Sequence, residues 1–401
     1  MSRSVDYDIA VVGGGMVGAA TAALLADNGL QVALLDRQRP QSFDAGAGIG
    51  LRVSAIAPGS ARVLAGAGAW QRIAATRVSP YTAMEVEAAR SAGKLCFEAH
   101  EHGLEQLGWI VENDLVRWAA WQALESRGVD VICPAAVAGL DRRRTHVALE
   151  TGGSETLTAR LVVAADGAGS RVRELAGLET IERDYAQRAV VAMLTTAESN
   201  PGIAWQRFLD TGPLAFLPLA DGRSSMVWTL PAERAEDTVA MSARELTGHL
   251  TAAGATRFGE VTDAGPAAAF PLRLRLAESM VADRVVLVGD AAHQVHPLAG
   301  QGVNLGLLDA AALAETLPAS LADTDALTRA LGRYERWRLS ENTLISRGID
   351  TIQRLFRGPA TRLGGFGLGL VERIGPAKRL FLRRACGIHG EAPALARGLR
   401  R

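Results

Sequence analysis

Residues 7–36, YDIAVVGGGMVGAATAALLADNGLQVALLD, constrain this 401-residue chain more than any other stretch. An apolar run (7–12) ends at glycines. A helical pattern follows from about Met16 to Asn28, with Gly29 as its stop, and a second apolar run (31–36) ends at Asp36. Two strands joined through a helix read as a parallel pair, a β-α-β unit of about thirty residues. Gly13, Gly15 and Gly18 stand between the first strand and the helix in a GxGxxG pattern. Gly13 permits the tight turn, Gly15 lets a pyrophosphate approach the backbone, and Gly18 lets the helix pack close to the strand. The positive end of the helix favours phosphate charge. Asp36 is placed to accept hydrogen bonds from a ribose hydroxyl. That points to a dinucleotide and argues against a 2′-phosphate, so against NADP at this site. NAD and FAD share the fingerprint, so it does not choose between them.

Two further strand ends carry Gly and Asp. RLVVAADG (160–167) opens Asp166-Gly167-Ala168-x-Ser170-x-Val172-Arg173, and VVLVGD (285–290) opens Gly289-Asp290-Ala291-Ala292-His293. Asp290 is placed to accept hydrogen bonds from a polyol. Each Asp alone also reads as a helix cap or turn; three such ends can converge on one long ligand. HPLAGQGVNLG (296–306) follows the last of them and leads into a helix of about 303–316. Its glycines let backbone N–H groups reach a ligand edge, and the helix start favours negative charge there.

The middle of the chain has another texture. AVVAMLTT (189–196), IAWQRF (203–208), PLAFLPL (213–219) and RSSMVWTL (223–230) are strand-like, with a hairpin turn at Ala220-Asp221-Gly222. Consecutive strands with short turns give an antiparallel sheet. Trp205, Phe208, Phe216 and Trp228 read first as its core, while one face of the sheet should cover a substrate. Residues 113–127 read as a helix, with Asn113 as its N-cap and Gly128 past its end. The expected architecture is α/β: a Rossmann-like nucleotide-binding domain (1–75, 105–180, 275–345), an inserted antiparallel-sheet substrate domain (76–104, 181–274) and a helical basic C-terminal region (346–401), interrupted at Gly364-Gly365.

Composition mostly excludes. Lys+Arg and Asp+Glu are both 43, which gives no argument for nucleic acid. Cys96, Cys133 and Cys386 share no CxxC spacing, so reduced thiols and a cytoplasmic protein are expected. The N-terminus enters a strand directly, so no signal peptide is expected, and no apolar run reaches transmembrane length. His293 and His296 stand at i, i+3, but no third ligand is evident and no metal site is expected. Residues 352–401 hold eleven Arg and Lys against Glu372 and Glu391. They read as a terminal helix with a basic outer face, or as a basic amphipathic segment touching anionic lipid or an acidic partner.

Together GxGxxG, DGAxSxVR and GDAAH resemble the aromatic hydroxylases of the single-component FAD monooxygenases. HPLAGQGVNLGLLD (296–309), RVSAIAPGS (52–60), VEND (111–114) and the WQRF…FLPL…VW spacing (205–228) resemble the ubiquinone-biosynthesis branch, over roughly residues 5–345. The resemblance implies FAD, with NAD(P)H as transient reductant, and hydroxylation of a polyprenylated phenol or benzoquinol through a flavin C4a-hydroperoxide formed with O₂. It is greatest to the enzymes acting on the methyl-methoxy-benzoquinol ring. Carried over, Gly13, Gly15, Met16, Val17, Gly18, Asp36 and Arg37 would hold the ADP half. Arg52 would lie near the flavin, Arg117 near the pyrophosphate or ribityl, and Val137 would offer backbone to adenine. Asp166 and Gly167 would lie by the domain junction, Gly289 and Asp290 at the ribityl. Pro297, Ala299, Gly300, Gln301, Gly302, Val303 and Asn304 would wrap the isoalloxazine. His296, Arg52 and Gln301 are the candidate catalytic groups. Contact of the basic region with a membrane surface or a biosynthetic complex, and a homo-oligomer, fit the same resemblance. A dehydrogenase and a non-hydroxylating flavoprotein of a biosynthetic complex are the alternatives from other classes.

Overall fold

The first apolar run forms β1 (Tyr7–Val12), the glycine turn leads into α1 (Met16–Ala26), and the second run forms β2 (Val32–Leu35). The pair is parallel, with Ile9 opposite Val32 and Val12 opposite Leu35. Gly29 lies just past the helix with a φ of +79°, a conformation that favours glycine. The computed structural model describes residues 5–89, 93–152, 155–295, 301–356 and 375–399. The further elements that position the site are β3 (Val53–Ile56), β4 (Ala83–Ala88), α2 (Asn113–Glu125), β5 (Glu155–Ala164), β6 (Thr180–Thr196), β7 (Ile203–Leu209), β8 (Gly212–Pro218), β9 (Ser224–Pro231), β10 (Ala268–Ala277), β11 (Val285–Leu287), α3 (Gln301–Thr316), α4 (Thr324–Leu355) and α5 (Gly375–Ala385).

Two large sheets organise the described residues. In the first, β11, β5, β1, β2 and the short strand Asp130–Ile132 run parallel in that order. Every residue of β2 and β11 is buried, as expected where helices cover both faces of a parallel sheet. In the second, β10, β6, β9, β8, β7 and β4 are neighbours in that order. Its pairs are antiparallel, as the short turns predict, except β4 with β7, which come from distant parts of the chain.

The period of two along a strand divides the second sheet into two faces. Trp205, Phe216 and Trp228 pack together on one face, with Leu246 and Leu250 of the helix Ala243–Ala252. Phe208 departs from this trio: it stacks on Phe356 just past α4, with ring centroids 3.9 Å apart. The other face, with Ala215 and Val227, turns toward the first sheet and lines a cavity.

Helix α2 begins one residue earlier than the cap assignment predicts. Glu112 is the N-cap, and Asn113 is the first helical residue. Asn113 is otherwise engaged: its Oδ1 accepts from the Ser54 hydroxyl at 2.7 Å, and its N–H donates to the Arg52 carbonyl at 3.0 Å. Gly128 lies past the helix end in the left-handed region, φ +64°. The Gly364-Gly365 interruption lies outside the described residues. No described helix is long and apolar enough to cross a membrane.

Candidate functional site

The turn between β1 and α1 is shaped by what it leaves out. Gly13 has a φ of +103°, and a side chain on it would collide with the Ala165 backbone. A Cβ on Gly18 would strike the Gly13 carbonyl. At Gly15 a Cβ would meet nothing within 4 Å, because that position faces the cavity. Gly15 is also the N-cap of α1, offers no capping side chain, and is followed by no acid in the first turn. The opening N–H groups of α1 therefore present an uncompensated positive end to the cavity, the geometry of a pyrophosphate cradle.

Asp36 stands one residue past β2. Its carboxylate accepts from the Gly14 N–H at 2.5 Å and from the Gln38 N–H at 2.9 Å, and so locks the turn from behind. Each oxygen keeps a further lone pair for a ribose hydroxyl. The Gly14 carbonyl in turn accepts from Arg117 Nε at 2.9 Å and Trp121 Nε1 at 2.7 Å. Arg117 thus grips the backbone of the glycine loop, and its Nη2 also donates to the Gln38 carbonyl at 2.6 Å. Arg37 points to solvent beside Asp36. Val137 begins a strand close by, where the Ala135 N–H donates to the Asp36 carbonyl at 2.8 Å.

The cavity, about 500 Å³, runs from the α1 N-terminus to the second sheet. Met16, Val17, Arg52, Gly167, Asp290, Gly302 and Val303 line it with Gly15 and Gly18. Asp290 opens onto the cavity, though protein surrounds it on its other sides. That burial raises its carboxyl pKa, with His293 and Arg52 opposing. Arg52 lies with its guanidinium carbon 5.3 Å from the Phe270 ring centre. Gln301 is the first residue of α3 and is half-buried. A Cβ on Gly302 would meet none of the described residues within 4 Å, and Gly302 lines the cavity. Asn304, by contrast, is buried and faces inward: its Oδ1 accepts from the Ala57 N–H at 2.9 Å and its Nδ2 donates to the Ala55 carbonyl at 2.8 Å. It ties α3 to the end of β3. His296, Pro297, Ala299 and Gly300 lie outside the described residues.

Asp166 does not line the cavity. Its Oδ1 accepts from the Ser170 hydroxyl at 2.5 Å and its Oδ2 from the Val172 N–H at 3.1 Å, so it supports the N-cap Ser170 at the start of the short helix Arg171–Leu175. The last residue of that motif crosses to the next one. Buried Arg173 donates to the Ala291 carbonyl at 2.9 Å and the Ala168 carbonyl at 3.0 Å, fastening the Asp166-Gly167 turn to the Gly289-Asp290 turn.

Sequence reasoning missed a buried ionic network behind these turns. Asp309 of α3 is fully buried. Its Oδ2 accepts from the Gly289 N–H at 3.1 Å and meets His293 Nε2 at 2.5 Å. Its Oδ1 accepts from Arg338 Nε at 2.7 Å and Asn342 Nδ2 at 3.2 Å, both on α4. Burial disfavours the charged carboxylate, but the His293 and Arg338 charges and hydrogen bonds outweigh it and hold the carboxyl at about 2. An ionised Asp309 requires that His293 carry its proton on Nε2. His293 is thus a packed ring in a network. Gly289, with a φ of +60°, is held by this network and packs on Val17. The signal was present in the sequence as the terminal Asp of HPLAGQGVNLGLLD, but its partners lie in α4 and could not be paired from spacing.

The residues present fit FAD: the uncapped start of α1, Gly302 and Val303 at the start of α3 and the Asp290 carboxylate line one space, and the Asp36 carboxylate stands behind the glycine turn that borders it. Residues 6–345 match the family described as the FAD binding domain. The chain is 38% identical to the 3-demethoxyubiquinol 3-hydroxylase of Escherichia coli, covering 95% of this chain and 98% of that one. It is 36% identical to the ubiquinone hydroxylase UbiL of Rhodospirillum rubrum, over 98% of this chain and 93% of that one. The p-nitrophenol 4-monooxygenase PnpA of Pseudomonas putida has the same fold, with a TM-score of 0.75 at 21% identity, over 94% of this chain and 96% of that one. The chain therefore belongs to the FAD binding domain family, in its branch of FAD-dependent ubiquinone-biosynthesis hydroxylases.

Proposed function

We propose that this enzyme hydroxylates the ring of a polyprenylated benzoquinol intermediate, at the position that its Escherichia coli relative's name describes. The observation that carries the reading is a cavity that runs from the helix starts of α1 and α3 to the second sheet, where Ala189, Val191, Ala215 and Val227 line it. Bound FAD supplies the redox chemistry, taking electrons from NAD(P)H and activating O₂ for insertion of one oxygen atom into the ring. The chain's own groups bind and orient. The N–H groups of Gly15 to Gly18 hold the pyrophosphate, and Asp36 accepts from the adenosine ribose. Asp290 accepts from the ribityl hydroxyls. The positive end of α3 at Gln301 to Val303 stabilises negative charge at the edge of the flavin ring. Arg52 places a cation beside the same space, and the apolar face of the second sheet excludes water from the reacting ring. In this reading the first sheet belongs to the FAD-binding domain and the second to the substrate-binding domain.

The test is genetic. Expression in strains lacking each ring hydroxylase should restore ubiquinone in the strain blocked at the demethoxy ring and remove its accumulated quinone. Rescue of a different strain would favour the second reading, hydroxylation at another ring carbon, which the similar identity to UbiL supports. No rescue in any strain would sink both.

We infer further that α5 meets an anionic membrane surface. Leu380 and Phe381 are 59% and 47% exposed on a helix that also carries Arg379, Arg383 and Arg384. Sedimentation with phosphatidylglycerol vesicles should fall in a Leu380→Ser, Phe381→Ser variant. Equal sedimentation of both proteins would refute the contact.

A further inference from the structure

The cavity face of the second sheet is built from small and apolar residues. Cross-strand register places Gln206 of β7 opposite Ala215 of β8, Ala215 opposite Val227 of β9, and Val227 opposite Val191 of β6. These four form one row across the sheet, all lining the cavity. Neighbouring strands lie about 4.8 Å apart, so Ala215 and Val227 together make a plate about as wide as a six-membered ring. Gln206 stands at the end of that plate. The residue is only 7% exposed, and what remains open is on the cavity side, which it lines. One row away, the Ser225 hydroxyl lines the same cavity and is buried without a partner among the described residues. An amide that opens on a cavity loses its water when an apolar ring covers it, a cost that a ligand bearing matching groups removes.

We propose that Gln206 is the specificity-determining residue that reads the oxygen substituents of the substrate ring and so fixes which carbon faces the flavin. The inference deepens the ring-hydroxylase reading and rests on it. The amide supplies both a donor and an acceptor, so it can pair with a ring hydroxyl, which needs either, or with a methoxy oxygen, which only accepts. A ring lying over Ala215 and Val227 with one oxygen on Gln206 has its rotation about the plate fixed. A ring of the same size without oxygens leaves the amide unpaired and is rejected for that reason.

The test uses the FAD-loaded enzyme and two ring probes: a short-chain methoxy-methyl-benzoquinol under anaerobic conditions, and an alkylbenzene of equal size. Perturbation of the flavin absorbance reads the Kd of each. Wild type should prefer the oxygenated ring by about tenfold or more. Gln206→Met, which keeps the volume, should load FAD as wild type does. It should lose about tenfold in affinity for the benzoquinol only, and scatter hydroxylation over more than one ring carbon. Equal weakening for both probes, or none, overturns the proposal. If the variant does not fold, the wild-type comparison still decides, because equal affinity for the two rings also overturns it. Preferential binding of the benzoquinol without any hydroxylation would sink the enzymatic reading and leave the recognition by Gln206 standing. Hydroxylation at a single carbon by Gln206→Met would sink the inference alone.

Discussion

Asp309→Ala tests whether the buried network supports the cofactor turn. Asp309 and Arg338 are 0% and 1% exposed, so the substitution strands a guanidinium where water cannot reach it. It also removes the acceptor of the Gly289 N–H, the Asn342 amide and His293. Breaking one side of a buried pair costs about 3–5 kcal/mol. Unfolding entropy of about 2.1 cal/mol/K per residue over 401 residues amounts to about 0.8 kcal/mol/K, so a loss of about 4 kcal/mol lowers Tm by about 5 °C. Differential scanning fluorimetry of the FAD-free protein reads this directly. Arg338→Met should cost a similar amount, but the double variant should cost at least about 2 kcal/mol less than the sum, because neither charge is then left alone. The pH dependence has a definite sign. The Asp309 carboxyl is held at about 2, below its ordinary 3.8. Its ionisation therefore contributes fully above about pH 4, and that contribution is lost as pH falls toward 2. The gap between wild type and Asp309→Ala should narrow over that window. A Tm change below about 1 °C at pH 7, or strict additivity in the double variant, would refute the argument.

Gly15→Ala and Gly18→Ala separate ligand from fold. The first should weaken FAD binding about tenfold or more by isothermal titration with little change in apoprotein Tm, and the second should lower apoprotein Tm because its Cβ meets the Gly13 carbonyl. Arg117→Met frees one side of the Gly14 carbonyl and should raise the Kd for FAD severalfold; unchanged affinity would show that Trp121 alone holds the loop. Glu85 is held at about 2, first by its hydrogen bonds to Arg257 and also by Lys94, against the opposing effect of burial. Its ionisation stabilises fully above its ordinary 4.5 and less as pH falls toward 2, so Glu85→Gln should unfold more easily at pH 7 and approach wild type in acid. Asp290→Ala should release FAD during gel filtration, and stoichiometric retention would displace the ribityl contact from this residue.

What was legible depended on range. The GxGxxG turn is a local device: Gly13 and Gly18 follow from a positive φ and from close approaches within a few residues or at the end of the adjoining strand, and Gly15 from its place at the start of α1 facing the cavity. The strand alternation that buries Trp205, Phe216 and Trp228 was legible for the same reason, since a period of two is written in each strand. Phe208 escaped it because its partner, Phe356, lies 148 positions away. Asp166 carried two readings in sequence, and the structure resolves its hydrogen bonds as support for the Ser170 cap because Ser170 and Val172 return to it. Asn304 sits among cavity residues in sequence yet turns inward, because a helix rotates each successive side chain by a quarter turn or more.

The sequence by itself determined the parallel β-α-β start, the antiparallel middle, the glycine turns and the identity of the family. All of these rest on short-range geometry or on contiguous motifs. Tertiary structure decided which side chains meet across the chain. It joined Asp309 to Arg338 and His293 behind the Gly289 turn, set Arg117 on the Gly14 carbonyl, and stood Gln206 at the end of a row made by three other strands. Such partnerships depend on how separate elements are packed against each other, and spacing along one element carries no record of its neighbour's register.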